Sequence, residues 1–182
     1  QAGMIRVDDV RDMFDYAEAL SAQPPAKGHN TLVITNGGGF GVVATDEAIH
    51  EGLKLPQLSD ATVKELQKCL PAYMKVHNPL DLGGDADSKR YAAALEIAGK
   101  DKNIDAILCI TLFQTVSLGP EVVDVVAEFA KKNRKPIVAC SAGGEYVQKL
   151  MHKLEEKGVP VFNSPFMAVK ALWCLAKYGE IL

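Results

Sequence analysis

Asn36-Gly37-Gly38-Gly39-Phe40-Gly41 follows the apolar and β-branched run Leu32-Val33-Ile34-Thr35 and leads into an amphipathic segment that ends near Gly52. The order reads as strand, tight turn, helix. A helix leaves the N–H groups of its first turn unpaired, its dipole places partial positive charge there, and glycines let a ligand approach the backbone. This turn therefore has the chemistry of an anion site, and Asn36 adds a side-chain amide at the strand's carboxyl end. A glycine turn that only packs helix on sheet has the same composition, so the turn alone does not decide between binding and packing.

Other chemistries fit less well. Gly39-Phe40-Gly41-Val42-Val43-Ala44 matches the G-x-G-x-x-A dinucleotide fingerprint. The next expected strand ends at Gln57-Leu58-Ser59 without an acid to hold a ribose, and Asp60 reads as a helix cap. No Lys-Ser or Lys-Thr closes the turn as a P-loop requires, and no Asp ends the third strand to accept a phosphoryl group. Ser141 in Ala139-Cys140-Ser141-Ala142-Gly143 sits where a nucleophile elbow places its serine, but the only later histidine is His152, within the next expected helix. His29, His50, His77 and His152 are scattered and read as solvated surface residues. Asn78-Pro79-Leu80-Asp81-Leu82-Gly83-Gly84 is more informative. Pro79 makes Asn78 extended and the glycines form a flexible rim, so Asn78 and Asp81 either present polar groups beside the first glycine turn or close an Asx-type turn on their own backbone.

The elements that must position these residues alternate. Val7–Leu20 has helical spacing, with Val10, Met13, Phe14, Ala17 and Leu20 on one stripe, and Ser21 to Gly28 forms a linker. This gives an opening arm over 1–28 and a domain over 29–182. Strands are expected at Thr31–Thr35, Lys54–Leu58, Asp105–Ile110, Pro136–Cys140 and Val159–Phe162. Helices are expected near Phe40–Gly52, Asp60–Leu70, Ser88–Gly99, Pro120–Asn133, Gly144–Lys157 and Pro165–Tyr178. The pattern predicts an α/β, flavodoxin-like, doubly wound five-stranded parallel sheet in the order 2-1-3-4-5. That order puts the topological switch between the first and third strands. The loops Asn36–Gly41 and Thr111–Gly119 then face each other, with Thr111, Gln114 and Gly119 on the second, and two helix N-termini aim at one crevice. A phosphoryl group or a carboxylate suits such a crevice.

Composition sets bounds. The 182 residues are 48% hydrophobic and 24% charged, as in an ordinary globular chain, and carry a net charge of −3. Without a basic surplus, neither nucleic acid nor an anionic membrane is expected as a partner. No apolar run approaches the roughly 18 residues of a membrane span. Cys69, Cys109, Cys140 and Cys174 form no close pair and have no adjacent histidine, so no metal site is expected and a reducing cytoplasm is. The chain opens on Gln1-Ala2-Gly3, which reads either as a segment of a longer polypeptide or as an artificial start.

Four motifs together resemble the last domain of the α-type half of NDP-forming acyl-CoA synthetases, the ADP-forming acetyl-CoA synthetase family related to succinyl-CoA synthetase. They are Ala2-Gly3-Met4-Ile5-Arg6-Val7, Thr35-Asn36-Gly37-Gly38-Gly39, Asn78-Pro79-Leu80-Asp81-Leu82 and Gly158-Val159-Pro160-Val161-Phe162. The resemblance implies a reversible reaction in which acyl-CoA, ADP and phosphate give a carboxylic acid, CoA and ATP, through an acyl phosphate and a phosphohistidine. It also implies that Asn36 to Gly41 face the acyl group and that the loop Thr111–Gly119 with its helix supplies one of two dipoles. The family's Ser-His-Thr-Gly loop is absent here, as are its ATP-grasp and CoA-binding regions. On this reading the chain carries no catalytic nucleophile and holds no cofactor tightly. CoA, ADP or ATP, and Mg would belong to the complete enzyme, with CoA-binding and histidine-bearing domains upstream and an ATP-grasp domain or subunit as partners. A stand-alone module binding a phosphorylated small molecule or nucleotide, and a regulatory domain fused to an acetyltransferase, share the architecture.

Overall fold

The structure is a computed structural model that describes residues 3–7, 9–132 and 135–182. In chain order its elements are α1 (Val10–Ala22), β1 (Thr31–Thr35), α2 (Gly38–His50), α3 (Asp60–Cys69), β2 (Leu80–Asp81), α4 (Ser88–Ala98), β3 (Ala106–Ile110), α5 (Val122–Lys132), β4 (Ile137–Cys140), α6 (Glu145–Glu156), β5 (Val161–Phe162) and α7 (Pro165–Ile181). All strand pairs are parallel and the order is β2-β1-β3-β4-β5, as the alternation predicts. The central strands β1, β3 and β4 are buried along their whole length, which is why they appear in the sequence as unbroken apolar runs. Leu32, Ile34, Ile107 and Cys109 point to the face covered by α3–α6, and Val33, Leu108 and Ile110 to the face covered by α2 and α7. No helix among the described residues is long and apolar enough to cross a membrane. Cys109, Cys140 and Cys174 are buried free thiols, and burial pushes each up to about 12.

The strand expected at Lys54–Leu58 is not the second strand. Only Lys54 pairs, through one bridge to Asn30, whereas β2 pairs with the far end of β1, Leu80 to Ile34 and Asp81 to Thr35. Pro56 has no N–H to give a ladder. The gap is filled by a side chain. Asn78 Oδ1 accepts from Val33 N–H (3.2 Å), while its amide donates to the carbonyls of Thr31 (2.8 Å) and Pro56 (3.0 Å).

Helix ends also move. Helix α2 starts at Gly38, two residues before the expected Phe40, so part of the glycine turn is helix. Ser59, not Asp60, caps α3 by accepting from Thr62 N–H. Helix α5 starts at Val122 beyond Pro120; the expected last residue, Asn133, lies outside the described residues, as does Ala2 of the opening motif. Asp9 caps α1, which starts at Val10 and not at Val7.

Helix α1 lies on α7, with Tyr16 and Ala19 buried, Tyr16 against Trp173 at 6.0 Å, and Asp12 paired with Lys170 at 2.9 Å. Of the expected stripe, Val10, Met13, Phe14 and Ala17 face away from the core, and only Leu20 packs against it. The linker crosses α7 at Gly179, where an added Cβ would strike the Ala26 carbonyl. Because the obstacle is backbone, Gly179→Ala is expected to cost about 1–3 kcal/mol of stability, readable as a lower urea midpoint at unchanged slope.

Candidate functional site

The N-terminus of α2 lies at the carboxyl edge of the sheet, beside the switch between β1 and β3. Gly37, its cap residue, has no side chain to offer, and its own N–H is held by Thr35 Oγ1 at 3.0 Å. The ladder of α2 begins with Gly41 N–H on Gly37 O at 3.1 Å. Among the described residues nothing accepts from the N–H groups of Gly38, Gly39 and Phe40. Gly38 and Gly39 are exposed, and a Cβ on Gly39 would have nothing within 4 Å. Their φ angles are not positive, so the turn does not use glycine for an unusual backbone. What the glycines provide is open approach to three orphan donors at a positive dipole end. Gly41 is different, since a Cβ there would press on Thr35 Cγ2 at 3.0 Å, and this close approach seats α2 on β1.

Asn36 departs from its expected role. Its amide does not face a ligand: the residue is 2% exposed and all of its polar capacity is used. Nδ2 donates to Leu112 O and to Thr115 Oγ1, both at 3.1 Å. Oδ1 accepts from Leu112 N–H at 2.8 Å and from the Tyr91 hydroxyl at 3.0 Å. Tyr91, fully buried on α4, also bonds Ile110 O at 2.6 Å, and its burial holds the phenol protonated. Asn36 thus ties the loop after β1 to the loop after β3. Nothing in the sequence marks Tyr91, because its partners lie on strands and loops remote in the chain.

The remaining expected residues divide. Asp81 is at the site: Oδ1 accepts from Gly83 N–H at 2.9 Å, and Oδ2 lies 3.0 Å from where a Cβ of Gly38 would be. A carboxylate there repels a bound phosphate, so Asp81 shapes the rim and opposes the charge it was expected to hold. Asn78 is buried in the sheet edge with its amide used up. Thr111 is fully buried; among the described residues its Oγ1 has no partner, and its carbonyl accepts from Ser141 Oγ at 2.6 Å. Gln114 gives its side-chain amide to Ala142 O. Gly119 opens the turn into α5, whose first N–H groups, on Val122, Val123 and Asp124, already bond Gly119, Pro120 and Glu121 carbonyls. The first turn of α5 is thus more closed than that of α2.

The nucleophile elbow weighed in the sequence does not assemble. Ser141 is fully buried and spent on Thr111 O, and His152 is exposed on α6 beside Glu155 and Glu156. His29 pairs with Glu180 at 2.6 Å, while His50 and His77 are exposed. Glu47, His50 and Glu51 have donor atoms within 4.8 Å of one another. They occupy the last turn of α2, at the opposite end from the glycines.

A family model described as the Ligase-CoA domain matches residues 31–179. The chain belongs to that family. This Ligase-CoA domain is 36% identical to the ADP-forming acetate-CoA ligase I subunit alpha of Pyrococcus furiosus, over 99% of its own length and 39% of the relative's. It is 33% identical to the ADP-forming acetate-CoA ligase I of Archaeoglobus fulgidus, over 100% of its length and 25% of that protein. Among solved structures, dinucleotide-forming acetyl-coenzyme A synthetase 1 of Ca. Korarchaeum cryptofilum, in complex with phosphate and ADP, superposes with a TM-score of 0.90 at 28% identity, covering 98% of the Ligase-CoA domain chain and 39% of that structure's chain. The chain thus spans between a quarter and two fifths of the length of these relatives.

Proposed function

We propose that this Ligase-CoA domain works within an ADP-forming acyl-CoA synthetase, in which acyl-CoA, ADP and phosphate are converted to a carboxylic acid, CoA and ATP. Its part is to present the N-terminus of α2 to the acyl-phosphate or phosphohistidine oxygens. The observation that carries the reading is the open first turn of α2, with three unpartnered N–H groups at the switch point of the sheet. Such preorganised donors stabilise charge that moves between phosphoryl and acyl groups without reorganising during the reaction. The phosphoryl-carrying histidine, the CoA site, and the ADP and Mg site belong to other parts of the assembly. That division agrees with the scattered positions of this chain's own histidines. The relatives' names support a small carboxylic acid as substrate, and the assembly works in the cytoplasm.

Inorganic phosphate added to the isotope-labelled chain is expected to shift the amide resonances of Gly38, Gly39 and Phe40. Affinity should be weak and should fall with salt, because one exposed helix N-terminus contributes only about 0.3–1 kcal/mol. Asp81→Asn keeps an oxygen for Gly83 N–H and removes the opposing charge. It should tighten binding about threefold, since a unit charge about 5 Å away in water is worth somewhat under 1 kcal/mol. Shifts confined to another surface, with Asp81→Asn silent, would remove the anion site from α2.

A further inference from the structure

The outward stripe of α1 is at odds with its position. Seen from α7, the near side of the helix holds Tyr16, Ala19 and the Asp12–Lys170 pair. The far side holds Val10, Met13, Phe14 and Ala17, at the i, i+3, i+4 and i+7 spacing of a single apolar face. Val10 is 69% exposed, Met13 46% and Phe14 66%. A helix with nothing beyond it would turn charged residues outward, and here Arg11 and Asp15 sit on a flank while the apolar face meets water.

Two findings say what belongs there. The family model matches from residue 31, so α1 lies ahead of the matched span. The relatives nevertheless match over 99% and 100% of the chain, and the solved synthetase superposes over 98% of it, which leaves no room to omit a 13-residue helix. Helix α1 therefore keeps this placement in a synthetase chain of which the present chain covers 39%.

We infer that the Val10-Met13-Phe14-Ala17 face of α1 is a docking surface for the rest of the synthetase, and that an apolar patch from outside the Ligase-CoA domain covers Phe14. The inference rests on the reading that this domain works inside a larger ligase. It extends that reading by naming the surface through which this domain is held against the others. Arg11 and Asp15 then form the polar border of the patch, as rims of interfaces do.

The test is thiol labelling of the complete ligase, with Cys69, the exposed native thiol, replaced in Cys69→Ser. Phe14→Cys and, separately, the near-isosteric Ala17→Cys are treated with a maleimide, and labelling at that peptide is followed by mass spectrometry in native and urea-unfolded enzyme. Both positions are expected to react at least about tenfold more slowly in the native enzyme, whereas Arg11→Cys on the border stays fast. Equal native and unfolded rates at position 14 and at position 17 would overturn the inference. Protection that grows with enzyme concentration would mark a second copy as the occupant and overturn it too. Acyl-CoA formation is assayed separately on the parent enzyme. Protection in an enzyme without that activity supports the interface and removes only the functional reading.

Discussion

Asn36→Ala is expected to lower the unfolding free energy of this chain by about 2–4 kcal/mol, because it strands several buried polar groups at once. Leu112 N–H loses its acceptor, Leu112 O and Thr115 Oγ1 lose a donor, and the Tyr91 hydroxyl keeps only Ile110 O. The site is 2% exposed, so water does not replace these partners without the loop after β3 opening. Urea unfolding should show a lower midpoint, and the amides of 112–118 should lose protection from hydrogen exchange. Asn36→Asp adds a diagnostic contrast. Its second oxygen, ionised, faces the Leu112 carbonyl with no proton to give, and when protonated it donates again, so this variant should recover stability as the pH is lowered. A wild-type midpoint for Asn36→Ala would mean that the two loops are not joined through this side chain.

Gly39→Val is expected to do the reverse: leave the fold alone and remove the activity of the assembled ligase. The residue is helical, its φ is ordinary and the space around its Cβ is open, so the change in stability should stay within about 1 kcal/mol. A branched side chain there stands over the N–H groups of Gly38, Gly39 and Phe40 and keeps an anion away from them. Turnover should fall by about 10²–10³, the cost of losing a preorganised oxyanion donor. Phosphate-dependent amide shifts should vanish in the same variant. A Gly39→Val ligase with normal turnover would leave the open helix end as a packing feature without a catalytic part.

These two residues mark where the sequence is legible and where it is not. The strands β1, β3 and β4 are readable because burial on both faces writes itself as apolar runs, and the sheet order follows from alternation and handedness. The glycine turn is readable because strand, turn and helix are adjacent in the chain. Asn36 is not, because its partners Tyr91, Leu112 and Thr115 are brought to it only by the packing of α4 and the loop after β3. A side-chain amide at a strand end looks the same whether it meets a ligand or a neighbouring loop. The facing of α1 is hidden for a related reason. Periodicity identifies an apolar stripe but not what covers it, and in α1 the side turned to the core is carried by Tyr16 and Ala19 instead. Lys54–Leu58 and Leu80–Asp81 compete for the same flank of β1, and the choice is settled by an asparagine that no strand pattern records.

The way Asn78 sits against β1 has a consequence for the protein in a crowded solution. The margin of a parallel sheet presents unpaired N–H and C=O groups on which a foreign extended segment can grow. Here the short strand β2 protects only the last two residues of β1, and Lys54 closes only the position before it. Between them the stretch of this flank left without a strand, Thr31 O and Val33 N–H, is stoppered by a carboxamide that cannot itself propagate a ladder. Asn78 is in that sense a guard on this flank, and the chain between Lys54 and Leu80 brings it there by way of Pro56, whose carbonyl it also holds, and the buried Leu66 of α3.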